Sequence, residues 1–277
     1  MSGNTDQGDP LARIAAALER LRPPQLPESD WTASPAYVWD GTPRAVAQIV
    51  APELDLLHGI DAQKEAVTQN VARLAAGHAA HDMLLWGARG MGKSALLRAA
   101  VVAAQAKAPQ RLALVQVAPD ALSALGSLFA ALGAVDRHFL VFIDDLGFAD
   151  DDSSGPRTLR SWLEGGVEAR PPRVRLAVTS NRRAIVPRHL AEQDDPINPR
   201  DAVDDRLALA DRFGLSIGFH NCTQDQYLAI VAGYCQFHDL AWDEAAALEW
   251  SKRRGARSGR VAWQFVTELA GRAGKAL

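Results

Sequence analysis

Cysteine is scarce in this chain, since Cys222 and Cys235 are the only two in 277 residues. They stand apart in the sequence, with neither a Cys-x-x-Cys motif nor a nearby pair of histidines at metal-ligand spacing. A disulfide framework or a zinc site therefore finds no support. We expect two free thiols in a reducing compartment.

Long apolar runs are missing as well. No segment reaches the roughly 18 apolar residues that a membrane-spanning helix needs. The opening residues, MSGNTDQGDP, are polar and acidic, unlike the basic and apolar regions of a signal peptide. We therefore expect a soluble, cytoplasmic protein that has no membrane partner.

Neither sign of charge dominates. Thirty basic residues stand against 33 acidic ones, and the net charge of -3 argues against a chain-wide electrostatic grip on nucleic acid. Two local basic clusters remain, but neither carries the interleaved aromatic residues of a stacking surface. These clusters are Arg182, Arg183 and Arg188, and Lys252, Arg253 and Arg254 near Arg257. Contact with nucleic acid stays open but is not favoured.

The N-terminal part of the chain is interrupted by proline. Residues 11–21 have apolar side chains at helical spacing and predict a helix. The three prolines of RPPQLPESDW cannot continue it, so 22–45 is predicted to be a linker. Trp31, Tyr37 and Trp39 lie in this linker, where they either pin it onto the core or form a partner site.

From residue 46 onward, short apolar segments alternate with helical ones. Strands that are apolar almost throughout, separated by helices, are typical of a parallel sheet covered on both faces. The pattern predicts a doubly wound α/β core. The predicted strands are Met83–Trp86, Leu112–Val117, Phe139–Ile143, Leu176–Thr179 and Leu215–Phe219. The predicted helices lie near 61–77, 94–106, 119–134, 157–167 and 201–212.

The C-terminal part has helical signals only. Thr223 and Gln226 form a capping-box pattern, which predicts a first helix that runs to about Cys235. A second helix is expected from Asp243 to Arg253, before Gly255, and a third from Ser258. Three domains result, namely an N-terminal extension at 1–45, an α/β core at 46–221 and a small helical domain at 222–277.

A glycine-rich motif follows the first predicted core strand. The sequence GARGMGKS matches G-x-x-x-x-G-K-[ST] in full and precedes a predicted helix. Glycines let backbone N–H groups converge on phosphate oxygens, and the helix directs its positive end to the same place. Lys93 is expected to contact the β- and γ-phosphates of ATP, and Ser94 to ligate Mg²⁺. The predicted nucleotide-binding residues are Gly87, Ala88, Arg89, Gly90, Met91, Gly92, Lys93, Ser94 and Ala95.

Two acids end a later strand. Asp144 and Asp145 follow the apolar segment FLVFI, and acids at the carboxyl end of a parallel strand lie where ligands bind. Asp144 is expected to hold the hydration shell of Mg²⁺, and Asp145 to orient or deprotonate the attacking water. ATPases that resemble this chain in these two motifs usually carry Glu at the second position, and Asp145 is one methylene shorter. The difference predicts slow hydrolysis or help from another acid. Asp150, Asp151 and Asp152 are the neighbouring acids, and a solvated loop is the simpler interpretation of them.

Asn181 ends the next apolar strand, LAVTSN. Its amide is expected near the γ-phosphate and the attacking water. Capping of the following turn is the alternative.

Two further arginines are candidates. Arg212 ends a predicted helix, from which it is expected to reach the nucleotide of a neighbouring subunit in a self-oligomer, with Arg206 as the alternative. A helix-terminal role for Arg212 also stays open. Arg260 begins the last helix and is expected to reach back to the phosphates, with Arg257 as its competitor.

This succession of motifs resembles the AAA+ superfamily of P-loop ATPases. From about residue 55 to 270 the chain is similar to a bacterial AAA+ family described as a domain of unknown function. The stretches that carry the resemblance are HGIDAQKEAVTQN, LLWGARGMGKSALL, FIDDLGF, LEGGVEARP, TSNRR, DRFGL, QDQYLAIV and RSGRVAWQF. The resemblance implies a five-stranded parallel sheet of order 5-1-4-3-2, a C-terminal helical lid, and Ile60 as a contact of the adenine.

Together these observations predict an ATPase that uses ATP and Mg²⁺ between core and lid to remodel or load an unknown macromolecular partner. Lys93, Asp145, Asn181, Arg212 and Arg260 are the predicted catalytic residues, and Ser94 and Asp144 the metal ligands. The first alternative is a nucleotide-dependent switch with negligible turnover. A small-molecule kinase is the second, but it leaves Asn181, Arg212 and Arg260 unexplained.

Overall fold

The computed structural model describes residues 30–147, 154–165, 169–181 and 209–277. Residues from Trp31 onward form one compact unit. Within the described ranges, no helix is long and apolar enough to cross a membrane. The predictions for 11–21, for Asp150 to Asp152, for Arg182, Arg183 and Arg188 and for Arg206 lie outside them.

A single sheet organises this unit. Its strands are β1 (Ala36–Trp39), β2 (Pro43–Val46), β3 (Met83–Gly87), β4 (Leu112–Val117), β5 (His138–Ile143), β6 (Val174–Ser180) and β7 (Leu215–Phe219). They lie in the order β2-β1-β4-β5-β6-β3-β7, and all pairs are parallel except β1 with β2. The five strands predicted from the sequence are therefore adjacent, in the order β7-β3-β6-β5-β4.

The described helices cover both faces of the sheet. They are α1 (Asp61–Ala75), α2 (Lys93–Lys107), α3 (Leu125–Gly133), α4 (Ser154–Glu164), α5 (Gln224–Phe237), α6 (Glu244–Arg254) and α7 (Gly259–Arg272). The predicted helix at 119–134 is divided, because Pro119–Ala124 forms a 3₁₀ segment before α3. Of the helix predicted at 201–212, only 209–212 are described; residues 209–211 are helical and Arg212 lies in the turn that follows.

Apolar side chains alternate between two cores, one on each face. In β5, Leu140 and Phe142 join the core that α1, α2 and the C-terminal helices cover. Phe139, Val141 and Ile143 join the core beneath α3 and α4. Because successive side chains of a strand point to opposite faces, strands buried on both faces are apolar throughout.

Two predictions were wrong at one edge of the sheet. Part of the predicted linker at 22–45 forms strands, and the sheet has seven strands instead of five. Residues 36–46 form β1 and β2, which extend the sheet beyond β4. Asp40 and Gly41 make the turn, in which Asp40 Oδ1 accepts a 3.1 Å hydrogen bond from Thr42 N. Four-residue strands are too short to show periodicity, but Asp-Gly between apolar residues is a hairpin signal that could have revealed them. Pro43 is tolerated because β2 is an edge strand.

The three aromatic residues of this segment belong to the core. Trp31, Tyr37 and Trp39 are all buried, and the rings of Trp31 and Tyr37 lie 4.7 Å apart. The first of the two alternatives for them, attachment to the core, is confirmed.

The C-terminal helices begin where the capping signals predict. Thr223 and Gln226 exchange both hydrogen bonds of a capping box at the start of α5. Asp243 and Ser258 cap α6 and α7, and Gly255 ends α6 with φ 67°. Their apolar faces, including Tyr227 and Val261, pack into the same core as α1 and α2.

Candidate functional site

The predicted site residues converge at the carboxyl ends of β5, β6 and β3, which are adjacent in the sheet. A cavity of about 610 Å³ opens there. Residues 89–95, both acids, Asn181 and the faces of α5 and α7 line it. Ligands of parallel α/β sheets bind at this edge, so the topology places the candidate residues where chemistry is expected.

The loop between β3 and α2 has a backbone shape that glycine allows. Gly87, Gly90 and Gly92 have φ values of 119°, 73° and 88°. A Cβ atom on Gly87 would lie 2.1 Å from the carbonyl oxygen of Phe219 in β7, so a side chain cannot fit there. In the described part of the chain, the backbone N–H groups of residues 89–95 have no hydrogen-bond acceptor. Such a run of unsatisfied donors at a helix N-terminus is suited to bind phosphate oxygens.

Lys93 lies folded against this loop. Its Nζ donates to the carbonyl oxygens of Gly87 and Ala88 at 2.8 and 2.9 Å, and to Asn181 Oδ1 at 3.3 Å. The residue is only 7% exposed. Burial lowers the pKa of Lys93 below its usual 10.5, while the carboxylates of Asp145 and Asp144 act in the opposite sense. An anionic ligand in the cavity would compensate this desolvated ammonium group.

Ser94 and Asp144 are in direct contact. Ser94 Oγ donates a 2.6 Å hydrogen bond to Asp144 Oδ1. The described residues hold no group of three or more His, Cys, Asp and Glu that could bind a metal ion by itself. A hydroxyl and one carboxylate nevertheless suit Mg²⁺, which retains waters and takes its other ligands from substrate phosphates.

Thr179 is a residue of the site that the sequence interpretation missed. It is 1% exposed in β6, and its hydroxyl donates to Asp144 Oδ1 at 2.6 Å and accepts from the backbone N–H of Asp145 at 2.8 Å. Its backbone carbonyl accepts from Leu146 N at 2.7 Å. Thr179 thus fixes the segment that leaves β5.

Asp145 turns toward Asn181 and the loop. Its φ of 52° is in the left-handed region, which Asp tolerates better than most residues. Asn181 Nδ2 donates to Asp145 Oδ1, and Arg89 approaches Asp145 Oδ2 at 3.7 Å. Since Lys93 donates to the same Asn181, the amide links the lysine to the carboxylate.

Apolar residues also line the cavity. Ile60, the predicted adenine contact, is buried at the start of α1 and lines the cavity together with Leu57. Ile230 and Tyr234 of α5 and Trp263 of α7 face the same space and were not predicted. A cavity lined by both polar donors and apolar side chains can hold a phosphorylated base.

The structure separates the two arginine candidates of the last helix. Arg260 lines the cavity, and its backbone N–H donates a 3.1 Å hydrogen bond to the carbonyl oxygen of Gly90. Arg257 lies elsewhere, with a guanidinium nitrogen 3.5 Å from Gln224 Oε1. Arg260 is therefore the arginine of α7 at the site.

Arg212 is not among the residues that line this cavity. It forms an ion pair with Glu164 at the end of α4, and its side chain is 29% exposed. Within this chain the arginine is thus held by a neighbouring acid.

Solved structures of known proteins share this fold. The Thermotoga maritima RuvB Holliday junction branch migration motor matches 82% of this chain and 68% of its own, at 18% identity and a TM-score of 0.53. The Aeropyrum pernix ORC1 protein, solved in complex with DNA, matches 79% of this chain and 62% of its own, at 16% identity and a TM-score of 0.55. No curated protein matches the chain.

The sheet order, the strand–loop–helix motif and these structural neighbours show an α/β fold of the AAA+ P-loop kind. Within that class, a family model covers residues 32–273. The chain belongs to this family, which is described as "Protein of unknown function (DUF815)".

Proposed function

We propose that this protein binds ATP together with Mg²⁺ and hydrolyses it. The observation that carries the proposal is the cavity at the end of β3, where the unsatisfied N–H groups of residues 89–95 and the buried Lys93 face one space. A polyphosphate is the ligand that would satisfy all of these donors.

Each residue of the cavity then has a role. Residues 89–95 bind the phosphates through backbone N–H groups, and Lys93 balances the charge of the β- and γ-phosphates. Ser94 and Asp144 would hold Mg²⁺, which supplies charge neutralisation at the phosphates when bound. Ile60 contacts the base.

Asp145 and Asn181 are proposed to position the attacking water. Asp145 Oδ1 accepts from the Asn181 amide, so the two side chains already act as a unit. A carboxylate within reach of water can accept its proton as the water attacks the γ-phosphorus. Arg260, which also lines the cavity, is proposed to stabilise charge on the phosphates.

The three helices α5 to α7 are proposed to act as a lid. They join the core at the Gly90–Arg260 backbone hydrogen bond, which lies within the phosphate-binding loop. ATP binding and hydrolysis would then alter the position of the lid and remodel or load a macromolecular partner.

A self-oligomer would supply Arg212 to a neighbouring nucleotide. Of the two solved neighbours, one is a Holliday junction branch migration motor and the other is an ORC1 protein solved in complex with DNA. The net charge of -3 does not favour nucleic acid as the partner of this chain, and a protein client is proposed instead. For Arg212 to act in this way, its ion pair with Glu164 has to open.

A nucleotide-dependent switch with negligible turnover is the second candidate. The observation that favours it is the short side chain of Asp145, whose two oxygens are engaged by Asn181 and Arg89. A base held in this way has little freedom to reach a water.

Steady-state ATP hydrolysis against protein concentration, combined with direct measurement of ATP binding, tests the proposal. Lys93→Ala is expected to abolish binding, and Lys107→Ala, at the exposed end of the same helix, should leave it unchanged. Retained tight binding in Lys93→Ala would refute the nucleotide site. A specific rate that rises with concentration supports an oligomeric ATPase, and it should rise less in Arg212→Ala. Tight binding without turnover supports the switch.

A further inference from the structure

A second cavity, of about 410 Å³, lies beside the nucleotide cavity and shares Arg89 with it. It is bounded by the segment after β7, the end of α6 and the start of α7. The residues that line it are Arg89, Asn221, Cys222, Ser251, Lys252, Gly255, Ala256, Arg257 and Ser258. The proposed ATPase activity assigns no role to this cavity.

The lining is basic, and of its three cations only Arg89 has an acidic partner among the described residues, namely Asp145 at 3.7 Å. Arg89, Lys252 and Arg257 contribute three positive charges, and no described Asp or Glu lines the cavity. Burial raises the pKa of the Cys222 thiol to about 11, so the thiol stays neutral at physiological pH and adds no negative charge. The cavity therefore carries a net positive charge that favours an anion.

Two neighbouring arginines that do not line the cavity already have partners. Arg253 forms an ion pair with Glu249 at 2.8 Å, and the guanidinium of Arg254 lies 4.8 Å from the centre of the Trp250 ring. The side-chain ammonium group of Lys252 has neither an ion pair nor a hydrogen bond to any described residue. The guanidinium group of Arg257 has only the 3.5 Å contact with Gln224 among those residues. Two of the three cations that line the cavity, Lys252 and Arg257, thus have no acidic partner in the described part of the chain.

A buried hydroxyl gives independent support. Ser258 is 6% exposed, and its Oγ accepts a hydrogen bond from Val261 N at 3.3 Å as the cap of α7. Its own hydroxyl hydrogen has no acceptor among the residues that the structure describes. A buried hydroxyl seldom lacks an acceptor, and an anion in the cavity would provide one.

We propose that this cavity is a second phosphate-binding site, which takes a phosphate group either free or within a nucleic-acid backbone. Lys252 and Arg257 bind the phosphate oxygens, and Ser258 donates to one of them. Arg89 lines both cavities and is the residue that an occupant of the second site would draw away from Asp145. The site shares Arg89 with the phosphate-binding loop, and its other lining residues lie outside that loop.

Calorimetric titration with inorganic pyrophosphate tests the site in full-length Lys93→Ala protein, in which the nucleotide site is disabled. Adding Lys252→Ala and Arg257→Ala should weaken pyrophosphate binding at least roughly tenfold, because hydrogen bonds to charged groups are lost. Arg253→Ala/Arg254→Ala is the matched control, since it also removes two positive charges next to the cavity, and neither residue lines it. Thermal unfolding of each variant checks that it folds.

Equal affinities in the Lys252→Ala/Arg257→Ala and Arg253→Ala/Arg254→Ala proteins, or no pyrophosphate binding at millimolar concentrations, would overturn the proposal. Residual binding at the disabled loop affects both variants alike and leaves their comparison intact. A competing single-stranded oligothymidylate separates the two sources of phosphate. Displacement of pyrophosphate assigns the site to a phosphodiester backbone, and its absence assigns the site to a free phosphate. Failure of the ATP proposal appears separately, as ATP binding that Lys93→Ala does not remove.

Discussion

The hydroxyl of Thr179 donates a 2.6 Å hydrogen bond to Asp144 Oδ1 from the neighbouring strand of the sheet. The same oxygen of Thr179 accepts from the backbone N–H of Asp145. One buried side chain therefore orients the carboxylate proposed to hold Mg²⁺ and the backbone of the carboxylate proposed to act on water.

Replacement of this hydroxyl by a methyl group is the first test. Thr179→Val keeps the volume and the β-branch but leaves the N–H of Asp145 and one lone pair of Asp144 without a partner. We expect a loss of about 1–3 kcal/mol in the free energy of unfolding, measured by urea denaturation of the ligand-free protein. Thr179→Ser, which retains the hydroxyl, should recover most of the loss. Equal stability of the valine variant and the wild type would contradict this role.

Asp145 is expected to matter for turnover and not for binding. Asp145→Asn keeps the size of the side chain but cannot accept a proton from water. Its ATP affinity should stay close to that of the wild type, and the hydrolysis rate should fall by roughly a hundredfold or more. Paired measurements of ATP binding and single-turnover hydrolysis distinguish the two effects. An unchanged rate would place the catalytic base at another residue.

Gly90 is expected to be intolerant of a side chain for two reasons that can be separated. Its φ is 73°, and a Cβ atom would lie 2.9 Å from Ser258 Oγ and 3.0 Å from Arg260 Cβ. Gly255 has a similar φ of 67° but open space around it, so Gly255→Ala should cost only the backbone strain, about 1–2 kcal/mol. Gly90→Ala should cost more than this in thermal unfolding and should also weaken ATP binding. Equal losses in the two variants would show that the contact with α7 is unimportant.

The lowered pKa of Lys93 gives the ligand-free protein a specific pH dependence. Burial makes the folded chain release this proton at a lower pH than the unfolded chain, whose lysine titrates near 10.5. Between these two pKa values the unfolded state binds more protons, so the free energy of unfolding rises as pH increases through the window. Below the pKa of Lys93 in the folded state both states bind the proton, so this gain in the free energy of unfolding is absent. The difference in unfolding free energy between wild type and Lys93→Met, followed through the alkaline range, isolates the effect, and a difference independent of pH would argue against it.

The two cysteines should be unreactive in the folded protein. Both are free and buried. Burial raises the pKa of the Cys235 thiol above its usual value and raises the pKa of the Cys222 thiol to about 11. Because the thiolate is the nucleophile, a disulfide reagent near neutral pH should label neither residue until denaturant is added. Rapid labelling of either thiol in native buffer would show that its region opens readily.

Local signals in the sequence were enough to predict many of the strands and helices. Leu112–Val117 and Leu215–Phe219 have the predicted bounds, because continuous apolar runs between turns define buried strands. Thr223 and Ser258 begin helices as expected, since capping depends on residues only a few positions apart. The glycine-rich loop is equally local, and its shape follows from the residues of its own motif.

Features that depend on contacts distant in sequence could not be predicted. Thr179 looks like an ordinary β-branched strand residue until β5 is placed beside β6. The ion pair of Arg212 with Glu164 requires knowledge of how α4 ends near the segment before β7. The second cavity likewise depends on the meeting of Arg89, Lys252 and Arg257, which no spacing in the sequence relates.

The position of β3 in the sheet has a consequence for the order in which the protein forms during synthesis. Met83 pairs with Ala177 on one side and with Leu215 on the other, so both neighbours of β3 are made long after it. Contacts this distant in sequence form late, because a long chain segment has to be ordered first. A nascent chain that lacks β7 also lacks the Phe219 carbonyl, which accepts a 2.8 Å hydrogen bond from Ala88 N at the start of the loop. We therefore expect ribosome-bound chains to acquire affinity for ATP only after β7 has left the exit tunnel, although the loop itself emerges far earlier.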